Sequence, residues 1–426
     1  MQILSTKDWS LKEIMIFIRQ KRSQKTDCEA IVKNIISKIR QEGDEGIIEL
    51  TKKFDGVELK TLTVAQAEIK EAYSQIDKPT LTALKRAKSN ITTFHKTTFT
   101  AKEKIVQTEP GVKIWREFRP IEKVGLYIPG GKASYPSTVL MLSIPAKLAC
   151  CGEVILCTPP DKNGKVSANI LVAADLCGVK KIYKVGGAQA IAAMAYGTQT
   201  IPRVYKIFGP GNQFVTTAKM LCYGQVDIDM PAGPSEVAVI ADKKAKINWV
   251  AADLLSQLEH GEDSQAILFT SDLKFAEKVI GEMQSQTTKL SRKQIIEKAF
   301  SKSFAVIYKS ESELYQLVND YAPEHLEIIS KDEQEILKNI NNVGSVFLGE
   351  YSSEPLGDYI TGANHTLPTS EFAKMFSPLS TDSFGKMIQI QKVSKKGITS
   401  LKNSVETLAL SEGLDAHKNS ISIRFT

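Results

Sequence analysis

The feature that most constrains the fold is an alternation of short apolar runs with helical segments, which begins at Val124 and continues to about residue 348. A strand that starts at Val124 leads into a Pro-Gly-Gly turn and a buried helix at 136–151, and later strands are again followed by helices. Strands that alternate with helices form a parallel sheet covered on both faces. Three glycine turns each follow a strand and precede a helix: Gly130-Gly131, Gly186-Gly187 and Gly209-Pro210-Gly211.

The alternation falls into two blocks, so we predict an α/β fold with two open parallel-sheet domains of an incomplete Rossmann-like kind. The second block starts at Glu236, with strands at 236–240, 266–270, 304–308 and 345–348. No glycine turn has the G-x-G-x-x-G spacing, so the usual dinucleotide fingerprint is missing. The predicted domains are a small N-terminal helical arm at 1–24, a large α/β domain at 25–126 and 236–375, a smaller α/β domain at 127–235, and a small C-terminal tail domain at 376–426.

Composition excludes several classes of protein. The 426 residues carry a net charge of +7 from 55 basic and 48 acidic side chains, a mild excess without the like-charge runs of a nucleic-acid-binding protein. None of the six cysteines lies in a C-x-x-C pair, which is typical of reduced cysteines in a cytoplasmic protein. The sequence has no signal peptide and no apolar stretch near the roughly 18 residues of a membrane span.

The segment 248–265 contains a candidate metal half-site. We expect a helix from an N-cap at Asn248 to a stop at Gly261, with a buried stripe and with Asp253, Gln257 and His260 on its polar side. Because Gln257 and His260 are three residues apart, an amide oxygen and an imidazole point the same way. The alternative is a solvated helix end. The stripe consists of Val250, Ala251, Leu254, Leu255 and Leu258.

Histidine is scarce, with five copies in the chain. We expect His95, among threonines in a lysine-rich helix, to lie on the surface. The other four histidines, His260, His325, His365 and His417, stand beside polar or acidic residues. Such neighbours raise the basicity of an imidazole, as a metal ligand or a base requires. Glu324 and His325 offer two adjacent proton acceptors or mark an ordinary strand start, and Asp358 is either an oxygen ligand or a turn former. These residues alone do not define a reaction.

Several motifs together resemble the histidinol dehydrogenase family. They occur in the family's order from one end of the chain to the other, and I-D-M-P-A-G-P-S-E is the most specific of them. The matching segments are 125–141, 185–198, 206–219, 228–237, 254–265, 322–327, 357–369 and 412–420.

The resemblance implies a homodimeric enzyme with one Zn²⁺ per subunit, which oxidises L-histidinol to L-histidine in two NAD-dependent steps through a bound aldehyde. The implied metal ligands are Gln257, His260, Asp358 and His417, the last reaching across from the partner subunit. The implied acid–base residues are Glu324 and His325. Further substrate contacts are implied at Ser235, His365 and Glu412, beside His325 and the metal ligands. The implied NAD contacts are Tyr127, Gln189 and Asn212, in the 127–235 domain.

Two other functions remain open at this point. One is a family member that acts on a different amino alcohol or imidazole compound, and the other is a zinc-stabilised binding protein without turnover. The presence of Ser235 and Glu412 argues against a changed substrate, and the intact Glu324-His325 pair argues against a binding protein. No cysteine matches a required role, so a thiohemiacetal mechanism has no support.

Overall fold

The computed structural model of the protein describes residues 1–22, 28–130, 134–231 and 233–426. The chain forms two compact units, of which the first comprises residues 1–97 and 121–384 and the second comprises residues 98–120 and 385–426. The four domains expected from the sequence stay a prediction.

The described residues form the following secondary structure. The strands are β1 (Gln2–Ser5), β2 (Val106–Glu109), β3 (Val112–Pro120), β4 (Lys123–Tyr127), β5 (Glu153–Thr158), β6 (Lys181–Lys184), β7 (Lys206–Phe208), β8 (Asp227–Ile228), β9 (Glu236–Ala241), β10 (Gln265–Thr270), β11 (Phe304–Ile307), β12 (His325–Ile329), β13 (Ser345–Leu348) and β14 (Gly385–Val393). The helices are α1 (Leu11–Arg22), α2 (Glu29–Glu42), α3 (Asp44–Asp55), α4 (Gln66–Gln75), α5 (Lys78–Thr97), α6 (Pro136–Leu148), α7 (Ala168–Cys177), α8 (Gly187–Tyr196), α9 (Gln213–Cys222), α10 (Ile247–Leu258), α11 (Leu273–Thr287), α12 (Lys293–Phe300), α13 (Glu311–Tyr321), α14 (Glu333–Lys338), α15 (Glu354–Tyr359), α16 (Lys395–Ser411) and α17 (Asp415–Ser422).

A six-stranded sheet in the first unit has the order β1-β11-β10-β9-β12-β13, and its neighbouring strands are parallel. The predicted second α/β block is therefore confirmed. Strand β1 was not predicted: the segment expected to be only a helical arm begins with an edge strand whose Gln2 lies opposite Phe304.

Both faces of this sheet are buried, which explains why its strands are continuous apolar runs. In β9, Val237 and Val239 pack on one face with side chains of α10 and α11. Ala238 and Ile240 pack on the other face with side chains of α1 and α13. Successive strand residues point to opposite faces, so a sheet covered on both sides needs an apolar residue at every position.

The second sheet of the first unit has five parallel strands in the order β6-β5-β4-β7-β8. The predicted glycine turns lie where expected after β6 and β7, while Gly131 falls outside the described residues. Gly209 has φ +127°, and a Cβ there would collide with the carbonyl oxygen of Tyr127. Glycine at this position therefore allows β4 and β7 to end in close contact.

The second unit contains an antiparallel sheet in the order β14-β3-β2, together with α16 and α17. Strands β14 and β3 pair over their full length, from Gly385 opposite Pro120 to Val393 opposite Val112. Within the described residues, no helix is long and apolar enough to cross a membrane.

The prediction that His95 lies on the surface was wrong. Its side chain is 1% exposed on α5, and its Nε2 lies 3.5 Å from the amide nitrogen of Asn364. The backbone oxygen of His95 accepts a hydrogen bond from Thr381. Burial lowers the pKa of His95 to about 4, so the ring is neutral at physiological pH.

Candidate active site and metal centre

Acid–base residues collect at the edge of the six-stranded sheet where its strands begin. Ser235 immediately precedes β9, and Glu324 immediately precedes β12. The two strands are adjacent and parallel, with His325 opposite Val237, so their first residues are brought together at one edge. Ligands of open α/β sheets usually bind at the opposite, carboxyl edge.

Helix α10 ends at the same edge. Its predicted apolar stripe is buried, but the helix is preceded by Lys246 as N-cap and ends at Leu258 rather than at Gly261. Asp253 and Gln257 are also buried, so the alternative of a solvated helix end was wrong. The side-chain oxygen of Gln257 is buried without a hydrogen-bond partner among the described residues. An unsatisfied buried oxygen is costly, and a bound cation would satisfy it.

Three side chains form a cluster at this edge that could hold a metal ion, referred to below as the metal-binding cluster. One ligand atom from each of His260, Glu354 and Asp358 lies within 4.8 Å of the other two. His260 follows α10, whereas Glu354 and Asp358 lie one turn apart on α15. Imidazole nitrogen and carboxylate oxygen are ligands that Zn²⁺ takes in proteins. The structure thus brings together two of the predicted metal ligands and adds an acidic side chain.

Glu354 was missed by the sequence analysis. The signal was its separation of four residues from Asp358, which puts two carboxylates on one face of a helix. Burial raises the pKa of Glu354 to about 8, and the neighbouring Asp358 carboxylate adds to the increase. Burial also favours the neutral form of Asp358, but the imidazoles of His325, His365 and His260 outweigh it and lower the pKa of Asp358.

Hydrogen bonds with buried polar groups hold Glu354 in place. The Glu327 carboxylate accepts the Glu354 backbone N–H at 2.7 Å, and Ser256 donates its hydroxyl to Glu354 Oε2 at 3.1 Å. Ser353, which precedes α15, donates to Asp253 at 2.7 Å. These bonds leave Glu354 Oε1 facing His325 Nε2 at 3.9 Å.

The predicted acid–base pair is held by the backbone of Glu236. The Glu236 N–H donates to Glu324 Oε2 at 2.9 Å, and His325 Nδ1 lies 3.1 Å from the Glu236 carbonyl oxygen. A carbonyl oxygen can only accept, so Nδ1 carries a proton and, in the neutral ring, Nε2 has the free lone pair. His325 Nε2 is buried without a hydrogen-bond partner among the described residues and lies 3.6 Å from Asp358 Oδ1.

Burial and charge shift the titration of both residues. Burial raises the pKa of Glu324 to about 8, despite the opposing effect of His325. Burial lowers the pKa of His325, but the carboxylates of Glu324, Asp358 and Glu354 outweigh it, so the pKa is raised overall. A carboxylate that titrates near neutral pH suits general base catalysis.

His365 contacts the metal-binding cluster from the loop that follows α15. Its Nδ1 donates to the Asp358 carbonyl oxygen at 2.9 Å, and its Nε2 lies 3.2 Å from the Thr138 hydroxyl on α6. The preceding Asn364 donates to the carbonyl oxygen of Met141, also on α6, at 2.8 Å. The position of His365 against Asp358 fits the predicted site, and its contact with substrate stays a prediction.

The three predicted NAD positions lie at or after the carboxyl ends of strands in the five-stranded sheet. Tyr127 ends β4, and its hydroxyl accepts the Gly187 N–H at 3.1 Å. Gln189 is buried on α8. Asn212 caps α9, and its side-chain oxygen accepts from the backbone N–H groups of the second and third residues that follow. All three thus follow the carboxyl ends of parallel strands, as predicted.

A buried ion pair anchors the loop before Asn212. Lys219 pairs with Asp229, and its ammonium group also donates to the carbonyl oxygens of Gly209 at 3.0 Å and Met230 at 3.1 Å. The other oxygen of Asp229 accepts the Gly209 N–H at 2.7 Å. The pair therefore ties the Gly209 turn to the end of β8.

Glu412 and His417 belong to the second unit. Glu412 is the C-cap of α16, His417 lies on α17, and both side chains are exposed. Their predicted roles in substrate and metal binding stay predictions.

A cavity of about 340 Å³ opens beside His260. Its volume is within the range of small-molecule pockets. Polar groups from several elements of the first unit line it: Tyr135, Ser137, Glu259, His260, Arg292 and Tyr359.

A buried carboxylate–imidazole pair beside side chains that could hold a metal ion, on a Rossmann-like α/β scaffold, is an arrangement typical of an enzyme. Comparisons with known proteins identify the family. The histidinol dehydrogenase family profile matches residues 18–425. A histidinol dehydrogenase from Bacteroides fragilis is 52% identical over 395 residues, which cover 92% of each chain. One from Methanocaldococcus jannaschii is 44% identical over 421 residues, 99% of this chain and 98% of that protein.

Structural comparison agrees with the sequence matches. The crystal structure of histidinol dehydrogenase from Elizabethkingia anophelis superimposes with a TM-score of 0.92 at 46% identity, covering 95% of this chain and 93% of that chain. The chain therefore belongs to the histidinol dehydrogenase family, and it is an oxidoreductase.

Proposed function

We propose that the protein catalyses the zinc- and NAD-dependent oxidation of L-histidinol to L-histidine through bound L-histidinaldehyde, the last step of histidine biosynthesis. The observation that carries the proposal is the convergence of the metal-binding cluster with the Glu324-His325 pair at one sheet edge, where His325 Nε2 lies 3.6 Å from Asp358 Oδ1. Family membership supports histidinol as the substrate.

The donor set fits a zinc ion. His260 and Asp358 offer an imidazole nitrogen and a carboxylate oxygen, and Gln257 contributes a buried oxygen without a hydrogen-bond partner in the described part of the chain. His417 of a second subunit is the fourth proposed protein ligand. A bound Zn²⁺ would hold the amino and imidazole nitrogens of histidinol and so fix its CH₂OH group beside His325.

In the first oxidation, His325 acts as the base. The Glu236 carbonyl oxygen holds the Nδ1 proton, so the neutral ring has its lone pair at Nε2, where it takes the hydroxyl proton of histidinol. The neighbouring carboxylates raise the pKa of His325, so this step uses the neutral fraction of the ring, and the positive charge of a bound Zn²⁺ would oppose the effect of those carboxylates. The substrate carbon then loses hydride, and the product is the aldehyde. Ser235, His365 and Glu412 are the proposed additional substrate contacts.

In the second oxidation, Glu324 acts as the base. Its carboxylate, with a pKa raised to about 8, removes a proton from water as the oxygen adds to the aldehyde carbon. His325, which took a proton in the first oxidation, gives that proton to the aldehyde oxygen as water adds, so the product is the neutral hydrate. The neutral ring then takes a proton from the hydrate as a second hydride leaves, which gives the carboxylic acid. The burial of both residues keeps bulk water away from the aldehyde between the two steps.

NAD⁺ would accept the hydride in each step, so each histidinol consumes two NAD⁺. Tyr127, Gln189 and Asn212 are the proposed contacts of the cofactor. The fit rests on the glycine turns after β6 and β7, where Gly187 and Gly209 have positive φ and carry no side chain of their own.

The homodimer is supported by exposed apolar side chains on the helices of the second unit. Leu408 and Leu410 on α16 are 63% and 50% exposed, and Ile423, which follows α17, is 60% exposed. Apolar groups of this size on neighbouring segments mark a protein interface. A cytoplasmic location is also proposed, because all six cysteines are free.

The test is turnover of L-histidinol by zinc-loaded protein. We expect two NADH per histidinol, because the aldehyde is oxidised before release. His325→Asn should lower the first oxidation by about two orders of magnitude or more at normal zinc content. Glu324→Gln should impair oxidation of added histidinaldehyde more than oxidation of histidinol. Glu335→Gln, the same change at an exposed site on α14, is the matched control.

Other outcomes separate the alternatives. Turnover of a different amino alcohol in preference to histidinol would identify a changed substrate. Zinc binding without NADH formation from any of these compounds would identify a binding protein. Loss of zinc in His325→Asn would refute the role of His325 as a base outside the metal site.

A further inference from the structure

Arg22, the last residue of α1, has a side chain only 7% exposed although it ends a surface helix. Its guanidinium group forms a two-pronged ion pair with the Glu236 carboxylate, which is itself 1% exposed. The Ser370 N–H donates to the same carboxylate at 3.1 Å. An arginine that contacts both oxygens of a carboxylate fixes both the position and the orientation of that carboxylate.

Glu236 is the residue whose backbone holds both members of the acid–base pair. Its N–H donates to Glu324 and its carbonyl oxygen accepts from His325. The side chain and the backbone of one residue thus connect Arg22 to the acid–base pair through a single Cα. Any shift of Glu236 changes both hydrogen bonds at once.

Arg22 also contacts the segment that leads to Glu324. Its guanidinium carbon lies 4.5 Å from the centre of the Tyr321 ring, and the Tyr321 hydroxyl donates to Gln265 at 3.0 Å. Tyr321 ends α13, three residues before Glu324, and Ala322 between them has φ +49°. Arg22 therefore packs against both chain segments that set the geometry of the pair.

We propose that Arg22 is a positioning residue for the acid–base pair, acting through the Glu236 backbone and the Tyr321 ring. This inference rests on the proposed function and extends its machinery to the N-terminal helix. Arg22 does not touch the proposed substrate position, so its effect should be on the rate of the chemical steps rather than on substrate affinity.

Removing the guanidinium leaves a carboxylate buried without its counter-charge. Burial raises the pKa of Glu236, and Arg22 opposes that increase. Without Arg22 the carboxylate must take up a proton or move toward water, and movement would displace the two backbone groups. Converting Glu236 to glutamine in the same variant removes the buried charge and keeps a polar side chain of the same size next to the Ser370 N–H.

The experiment compares Arg22→Gln, the double variant Arg22→Gln with Glu236→Gln, and the control Arg116→Gln. Arg116 on β3 forms a two-pronged ion pair with Glu103 at an exposed site, whereas Arg19 shares its partner Glu371 with Arg22 and is not independent. We expect Arg22→Gln to lower kcat for histidinol roughly 10- to 100-fold, the cost of a small displacement of catalytic groups, with KM within about threefold. The double variant should recover most of the loss, and the control should match the wild type.

A second readout does not depend on substrate. The readout is the ¹⁵N spectrum of zinc-loaded protein at fixed pH, in which the His325 signal is assigned as the one missing in His325→Asn. In the wild type, the proton on His325 Nδ1 should exchange slowly with water. Arg22→Gln should lose that protection, and the double variant should regain it. Should wild-type protein fail to oxidise histidinol, the proposed function fails, and this spectrum still decides the role of Arg22.

Three results would overturn the proposal. The first is a lower Tm in Arg22→Gln with unchanged kcat per active site and an unchanged His325 signal, which identifies a purely structural role. The second is a loss of zinc that accounts for the loss of activity. The third is a double variant no better than the single one. If Arg22→Gln does not fold, Arg22→Lys replaces it: it keeps the charge without the fork, so an unchanged kcat and signal would contradict the proposal.

Discussion

Glu354→Gln should have opposite effects on the protein with and without zinc. The substitution keeps the size of the side chain and an oxygen that can accept from Ser256, and it removes one negative charge from the cluster with Asp358 and His260. When zinc is bound, the Glu354 carboxylate attracts the cation. When zinc is absent, the same charge repels the Asp358 carboxylate.

The effect on zinc affinity follows from distance and burial. If Glu354 acts only through neighbouring ligands, its loss weakens zinc binding by roughly 10- to 100-fold. If it binds the ion, its loss costs at least the interaction of two unit charges about 4 Å apart at an effective dielectric constant of about 20, which is about 4 kcal/mol or close to a thousandfold in Kd. We therefore expect a Kd for zinc about 10- to 1000-fold higher in Glu354→Gln, with the position in that range reporting whether contact is direct.

The effect on the apo protein has the opposite sign. The pKa of Glu354 is raised to about 8 in the folded protein, so the fold favours the neutral carboxyl group over the carboxylate. Glu354 therefore stabilises the apo protein most at a pH below its unfolded pKa. Its contribution to stability is lost as pH rises from about 4.5 to 8. Glutamine is neutral throughout, so apo Glu354→Gln should be more stable than the wild type at pH 8–9, by an amount on the order of a few kcal/mol. The two should converge at acidic pH.

The assay is competition titration with a zinc chelator, together with thermal unfolding of the apo and zinc-loaded forms at pH 5 and pH 8.5. Glu335→Gln is the control, since that residue is exposed on α14. A zinc Kd within about threefold of wild type would contradict a role for Glu354 in the metal site. An apo Tm at pH 8.5 below that of the wild type would contradict the charge argument.

Three further perturbations test other parts of the molecule. Lys219→Met should destabilise the protein by about 3–5 kcal/mol, because it leaves Asp229 buried and unpaired, and adding Asp229→Asn should restore part of the loss in denaturant unfolding. His95→Gln should flatten the dependence of Tm on pH between about 4 and 6.5. The reason is that His95 has a pKa lowered to about 4 in the folded protein, so only the unfolded chain binds a proton there over this pH range. Parallel curves of Tm against pH for variant and wild type would contradict this role of His95. Leu408→Glu with Ile423→Glu should dissociate the proposed dimer and abolish turnover, as measured by sedimentation and NADH formation, and a monomeric variant with full activity would refute the shared site.

The parallel sheets could be predicted because burial on both faces makes their strands apolar at every position. Strand β9 and strand β10 are buried throughout, and both were recognised as short apolar runs. Strand β1 could not be found this way, since Gln2–Ser5 is a mixed four-residue segment that becomes a strand by pairing with β11. Its identity depends on a partner far along the chain.

The burial of polar residues was the least predictable property. His95 was assigned to the surface from its threonine and lysine neighbours, yet packing between distant segments buries it. Asp253 and Gln257 occupy the polar face of α10, and that face is covered by the segment that contains Ser353. Periodicity identifies which side chains share a helix face, and only tertiary contacts decide whether solvent reaches that face.

The proposed function uses opposite edges of the two sheets, and the Asn364-His365 segment lies between them. The proposed NAD contacts follow strands of the five-stranded sheet, whereas the acid–base pair precedes strands of the other. Asn364 and His365 bond to α6, which follows β4, and His365 also donates to the Asp358 carbonyl oxygen. A carbonyl oxygen only accepts, so His365 Nδ1 carries a proton, and an unprotonated Nε2 accepts a hydrogen bond from the Thr138 hydroxyl, which bridges α6 to α15. Two hydrogen bonds of one imidazole thus link the metal-binding cluster to a helix of the five-stranded sheet, where the NAD contacts are proposed.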